Sequence, residues 1–88
     1  MSNLSEDEIE RRANEIYEKS LRERLETDDN IGKMVIIDAE SGDFEVDELG
    51  IEAARRLKAR RPRGEFYGIR IGYDVVYVLG GSLTRSKV

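Results

Sequence analysis

Apolar residues along this chain follow three patterns, and each pattern predicts a different kind of element. Over residues 5–26 they recur every three or four positions, which is typical of one face of a helix. The run from Met34 to Ile37 is apolar on both of its faces, as in a strand that is covered on both sides. Phe44 and Val46 then alternate with acidic residues, which predicts a half-exposed edge strand.

The first 30 residues predict a single charged amphipathic helix over 5–26. Ser5 and Glu8 have the spacing of a capping box, in which each side chain accepts a hydrogen bond from the other residue's backbone N–H. The apolar stripe of this helix is narrow, and most positions between its members are charged. The stripe consists of Ile9, Ala13, Ile16, Tyr17, Leu21 and Leu25.

Residues 32–80 predict a ββαββ core. A turn over residues 40–43 joins the first two strands, and Gly42 is expected to take a positive φ there. Asp47 is the predicted N-cap of the second helix, which Pro62 should end near Arg60. The helix is expected to pack through Leu49, Ala53, Ala54 and Leu57.

The remaining segments complete a small single-domain fold over residues 1–88. Strands are predicted at 66–72 and 75–79, with a turn at 72–74 and a flexible tail over 81–88. The element order is α-ββ-α-ββ. It predicts an α+β domain with two helices and a four-stranded, mainly antiparallel sheet.

The first and last strands are apolar on both faces, so both faces of the predicted sheet need a cover. The second helix covers one face. The other must be covered by the first helix, by a second copy of the chain as in a homodimer, or by a partner protein, because an open apolar face of that size is rare in monomers. The last two alternatives make the first helix's apolar stripe a predicted partner-binding surface.

Composition excludes several classes of chemistry. The chain has no cysteine and no histidine, so disulfide frameworks, thiol nucleophiles and histidine-based acid–base catalysis are absent. The N-terminus lacks the pattern of a signal peptide, and no apolar run is long enough for a membrane span. We therefore expect a cytoplasmic, non-enzymatic protein with no cofactor, no metal ligands and no catalytic residues.

Acidic residues are concentrated around the first predicted hairpin. Carboxylates at alternating strand positions can converge on a divalent cation, but an EF-hand loop starting at Asp38 would need glycine where Asp43 stands and glutamate where Leu49 stands. Solvated turn and cap residues are the favoured interpretation. We call this group the acidic ladder; it comprises Asp38, Glu40, Asp43, Glu45 and Asp47.

Basic residues follow directly, between Arg55 and Arg63, with no acidic residue among them. Arginine clusters bind phosphates and carboxylates, so a nucleic-acid backbone is an alternative partner. The favoured interpretation is a solvated helix end whose cations pair with acidic residues of the first helix. The candidate anion-binding residues, named the arginine cluster below, are Arg56, Arg60, Arg61 and Arg63.

Several segments together resemble an uncharacterised family of small bacterial proteins, over about residues 9–81. Members of that family are similar to antitoxins or accessory partners and are often encoded beside a small retropepsin-like aspartic protease. The resemblance implies a protein-binding role and supplies no catalytic or binding residues. It rests on Glu15–Glu18, on the Gly32–Asp38 motif, on Glu40–Glu48, on Arg60–Pro62 and on Arg70–Tyr73.

Overall fold

A computed structural model of the chain describes residues 4–75 and 83–84, and it shows an α+β fold with a three-stranded antiparallel sheet. The strands of this sheet are β1 (Met34–Asp38), β2 (Phe44–Asp47) and β3 (Phe66–Arg70). Their order is β2-β1-β3, so the doubly apolar strand is central, as its sequence predicts. Gly42 has a φ of +82° in the β1–β2 turn, also as predicted.

The N-terminal helix runs without a break over three segments, close to the predicted bounds. It is α-helical in α1 (Glu6–Ile16), π-helical over Tyr17–Leu21, and α-helical again in α2 (Arg22–Leu25). The capping box is confirmed: the Ser5 hydroxyl accepts from the Glu8 backbone N–H at 3.2 Å, and Glu8 Oε1 accepts from the Ser5 N–H at 3.0 Å.

The π-helical turn, which was not predicted, follows from the spacing of the buried residues. Ala13, Tyr17, Leu21 and Leu25 are all buried and lie four residues apart. In a regular α-helix each such step rotates about 40° past a full turn, so three steps would rotate the stripe by about 120°. A π turn has i→i+5 hydrogen bonds and is wider. It therefore takes up this rotation and keeps all four side chains on the sheet.

The N-terminal helix covers one face of the sheet, which answers how the central strand is covered on both sides. Its buried stripe packs against Val35 and Ile37 of β1 and against Ile71. The second helix, α3 (Gly50–Arg60), covers the opposite face, where Ala53 and Leu57 pack against Ile36. It lies mainly over β1 and β2.

The start of α3 differs from the prediction. The N-cap position is Leu49 rather than Asp47. Asp47 lies two residues upstream, and its Oδ1 accepts from the Leu49 N–H at 2.9 Å. Because Leu49 precedes the helix in an extended conformation, its side chain is 60% exposed instead of packing on the sheet. The backbone of Gly50 faces Met34 and Ile36 in its place.

The C-terminal part of the prediction is only partly covered by the described residues. β4 (Asp74–Val75) pairs antiparallel with β5 (Leu83–Thr84) in a separate two-stranded sheet. The rest of the predicted strand over 75–79 and of the predicted flexible tail over 81–88 lies outside the described residues. The four-stranded α-ββ-α-ββ arrangement therefore stays a prediction.

Candidate functional site: the edges of the sheet

The predicted partner-binding stripe lies largely inside the protein. Ala13, Tyr17, Leu21 and Leu25 are at most 9% exposed and belong to the main core. Ile16 is partly buried against the same core, and Ile9 is half-buried. While the helix is docked on the sheet, a partner cannot contact the four buried side chains.

Tyr17, the first residue of the π segment, also binds residues at the C-terminal end of the helix. Its hydroxyl donates to Glu26 Oε2 at 2.9 Å, and the Arg22 guanidinium lies over its ring, 5.6 Å from the centroid. Burial and the neighbouring Glu26 carboxylate raise the pKa of the Tyr17 phenol above its ordinary value. The phenol therefore stays neutral and donates a hydrogen bond to Glu26, the C-cap residue of the helix.

Three members of the arginine cluster bind carboxylates of β2 or of Asp43 directly before it, and not the N-terminal helix as predicted. Arg56 Nε binds Glu45 Oε1 at 2.9 Å, and Arg56 Nη1 binds Asp47 Oδ2 at 3.0 Å. Arg60 binds both oxygens of Asp43 at 3.0 Å and also contacts Glu45. Arg61 Nε reaches Asp43 Oδ2 at 3.2 Å. Arg63 is exposed and forms no ion pair within residues 4–75.

This pairing explains the electrostatics of the acidic ladder. Hydrogen bonds from Arg60, and further ones from Arg61 and the Phe44 N–H, lower the pKa of Asp43 to about 2. Arg60 and Arg56 lower the pKa of Glu45 in the same way. These carboxylates are therefore not simply solvated turn residues. They are the anionic half of an ion-pair network that joins Asp43 and β2 to the C-terminal half of α3 and Arg61.

Asp38, the first member of the acidic ladder, organises the turn next to the sheet. It is only 3% exposed, where a solvated side chain was expected. Burial alone would raise the pKa of Asp38, but hydrogen bonds from the Ser41 hydroxyl at 2.7 Å and the Glu65 N–H at 3.0 Å lower it on balance. The carboxylate thus joins the end of β1 to the start of β3.

Arg56 and Arg60 also close the outer edge of β2. The Asp38 N–H donates to the Asp43 carbonyl at 2.8 Å, so with the observed register Glu45 and Asp47 also direct their backbone groups toward β1. Phe44 and Val46 must then direct theirs outward. Arg60 donates to the Phe44 carbonyl at 3.3 Å and Arg56 to the Val46 carbonyl at 3.0 Å.

The Phe44 N–H donates in turn to the Asp43 carboxylate at 2.9 Å. Of the four outward backbone groups of β2, side chains therefore occupy all but the Val46 N–H. An edge strand blocked in this way cannot accept another strand until the arginines withdraw.

The outer edge of β3 is open, because in the described residues no side chain occupies its outward backbone groups. The Ala39 N–H donates to the Glu65 carbonyl at 2.9 Å and the Ile71 N–H to the Lys33 carbonyl at 2.8 Å. By alternation Tyr67 and Ile69 bond to β1, while Phe66, Gly68 and Arg70 direct their backbone groups outward. Within the described residues, the only bond to these groups is from the Tyr73 N–H to the Arg70 carbonyl.

The surface beside this edge is also uncovered. Since α3 lies mainly over β1 and β2, Gly68 and Arg70 are exposed on that face and Phe66 is half-buried. Gly68 adds no side chain, so the backbone of β3 is accessible along its middle. An added strand requires an open edge that neighbouring side chains do not block.

Other surfaces offer less. A groove of about 440 Å³ lies between the β1–β2 turn and the end of α3, lined by Asp38, Ser41 and residues 60–64, but Arg60 and Arg61 are already paired there. Among residues 4–75 and 83–84, no group of three acidic side chains is placed to hold a metal ion. Within the same residues, no helix is long and apolar enough to cross a membrane.

The sequence identified β2 as an edge strand, but it was not used to predict that arginines close this edge, although a signal was present. Acidic residues at 43, 45 and 47 share one face of a strand, and Arg56 and Arg60 share one face of a helix, so the two rows are complementary. Comparison with known proteins adds no further guide: no family model, curated protein or solved structure matches this chain.

Proposed function

We propose that this chain is a non-enzymatic, cytoplasmic protein–protein interaction module, an accessory subunit of the antitoxin-like kind that its resemblance implies. It acts through its sheet, with the N-terminal helix as the scaffold that holds the sheet in place. The observation that carries the proposal is the difference between the two edges, because β2 is closed by Arg56 and Arg60 while the backbone groups of Gly68 remain unpaired in the described residues.

The open edge supports binding of an extended strand. Backbone hydrogen bonds would give such a complex its affinity, and the side chains beside the edge would give it selectivity. The N-terminal helix contributes by covering the opposite face and by contacting β3 through α1. It thereby stiffens the strand that receives the partner, and its charged outer face stays in solvent.

The alternative, nucleic-acid binding by the arginine cluster, is less well supported. Arg56, Arg60 and Arg61 already bind carboxylates of β2 and of Asp43 directly before it, and a phosphate would have to displace these carboxylates. Of the arginine cluster, only Arg63 has no ion pair within the described part of the chain. A single exposed arginine supplies too little charge to hold a nucleic-acid backbone.

Co-purification from the native host, with the protein encoded next to this chain as the first candidate, tests the proposal. Gly68→Pro removes the outward N–H at the centre of the edge, whereas Gly68→Ala keeps it and serves as the matched control. A new Cβ there meets only the side-chain ends of Ile36 at 3.1 Å and Met34 at 3.2 Å, so both variants face the same crowding. We expect the alanine variant to retain the partner and the proline variant to lose it. If the wild-type chain associates with no protein, itself included, the proposal is wrong.

A further inference from the structure

We propose that the strand accepted by the open edge is β3 of a second copy, paired antiparallel about a two-fold axis at Gly68. This inference rests on the proposed function and names the partner. It would join two three-stranded sheets into one continuous sheet, with the closed β2 strands at its two outer ends. Such an interface is isologous, since the same patch serves both copies.

The backbone register of β3 matches this pairing at Gly68 and at the Arg70 N–H. A two-fold axis at Gly68 places Phe66 opposite Arg70 of the second copy, and Gly68 opposite Gly68. These are the three residues whose N–H and C=O groups point outward from β3. The Gly68 pair can therefore exchange two N–H···O bonds, because an antiparallel ladder alternates in the same steps of two. At each Phe66–Arg70 pair the Arg70 N–H can donate to the Phe66 carbonyl, while the Arg70 carbonyl already accepts from the Tyr73 N–H of its own chain.

The side chains are also self-complementary in this register. On the α3 side, Arg70 lies opposite Phe66 of the second copy; its guanidinium donates to the Gly32 carbonyl at 2.8 Å, so the aliphatic part of its side chain is what the ring can contact. On the opposite side, Tyr67 meets Ile69 of the second copy, and aromatic–β-branched pairs favour strand association. At the axis the two glycines leave room for close approach. No pair in this register sets like charges against each other.

The described part of the chain beyond β3 does not take this edge. In a hairpin closed by the turn that the Tyr73-to-Arg70 hydrogen bond defines, Asp74 and Val75 would lie opposite Ile69 and Gly68. They pair instead with Leu83–Thr84 in a separate sheet. This leaves the Gly68 backbone available to a second copy.

Light scattering coupled to size-exclusion chromatography measures the mass directly. We expect a concentration-dependent dimer for the wild type and for Gly68→Ala. For Gly68→Pro we expect a dissociation constant raised at least about tenfold, because the N–H of both central residues is lost. Circular dichroism shows whether each variant keeps its fold. A folded proline variant that dimerises as well as the alanine variant overturns the proposal.

A cysteine pair tests the register, and the chain offers a clean background because it has no cysteine. Opposed Cα atoms in a hydrogen-bonded pair lie about 5.5 Å apart, within the range that a disulfide spans. Gly68→Cys should therefore cross-link to its counterpart under mild oxidation. Arg70→Cys is the control, since it lies opposite residue 66 and is about 14 Å along the strand from its own counterpart. Equal cross-linking of the two variants overturns the proposed register.

The outcomes separate this inference from the proposed function. A strictly monomeric chain overturns the self-pairing, and this includes a chain whose own residues 75–79 take the edge as the predicted fourth strand. If such a monomer still binds another protein in a manner lost with Gly68→Pro, the interaction module stands and only its partner differs. If it binds nothing, both fail.

Discussion

The contribution of Asp43 to stability can be tested by replacing it with asparagine. The carboxylate accepts two bonds from Arg60 at 3.0 Å and one from Arg61 at 3.2 Å. It also accepts from the Phe44 N–H, and an asparagine Oδ1 can preserve that bond. Asp43→Asn therefore removes the charge and leaves the local backbone contact in place, so the loss measured is that of the ionised pair.

The size of the effect follows from the pKa of Asp43, which is about 2 in the folded protein against an ordinary 3.8. At about 1.36 kcal/mol per pH unit, this difference corresponds to about 2 kcal/mol of folding free energy. Because the folded pKa is the lower one, the contribution is present above pH 4 and is lost as the pH falls through 2. The side chain is 23% exposed, and salt screens the pair, so this value is an upper bound.

Urea denaturation of both proteins at several pH values measures this contribution. At pH 7 the variant should be less stable by up to about 2 kcal/mol, and the difference should shrink to below about 0.5 kcal/mol at pH 2. Glu52→Gln is the control, since within residues 4–75 Glu52 pairs only with Arg55, whose side chain is 69% exposed, and such pairs contribute little. If Asp43→Asn matches this control at pH 7, or if its deficit persists at pH 2, the ion-pair reasoning is wrong.

Three further predictions concern packing, helix geometry and the closed edge. Leu57→Ala should lower the free energy of unfolding by about 2–5 kcal/mol in urea titrations, because Leu57 is fully buried, whereas Ile51→Ala, at a 76% exposed position, should change it little. Deleting Ser20 from the π turn should be tolerated, because the buried residues would then be spaced by four, three and four positions, which fits a regular α-helix. Inserting one alanine at the same place should destabilise the fold, and thermal melts of both variants measure the difference. Replacing Arg56 and Arg60 together by alanine should open β2 and give species larger than a dimer in light scattering; an unchanged mass would contradict the capping role.

The elements of this fold were predictable because their signals are local. A run that is apolar on both faces identified β1 as the central strand, and strict alternation at Phe44 and Val46 identified β2 as an edge. The capping box fixed the start of the first helix. Each of these signals needs only a few neighbouring residues, so they can be identified without knowing the tertiary structure.

Contacts between distant elements were not predictable in the same way. The sequence left three possible covers for the sheet, and only tertiary packing selects the N-terminal helix. The arginine cluster was expected to pair with that helix, because charge alone cannot say which acidic row faces it. The π turn is different, since the uniform spacing from Ala13 to Leu25 contained its signal. Past Val75 the structure describes only Leu83–Thr84.

The ion-pair network and the proposed assembly are connected through the number of open edges. A sheet with two open edges that each pair with a like edge has no closed end and grows into a filament. A sheet with both edges closed cannot add a strand at all. Here the side chains of Arg56 and Arg60 occupy the outward carbonyls of β2, and the middle of β3 has only the bare backbone of Gly68. One closed and one open edge allow a single pairing event, which gives a finite complex. The charges of β2 and α3 thus limit how many copies associate, while the backbone of β3 supplies the contact.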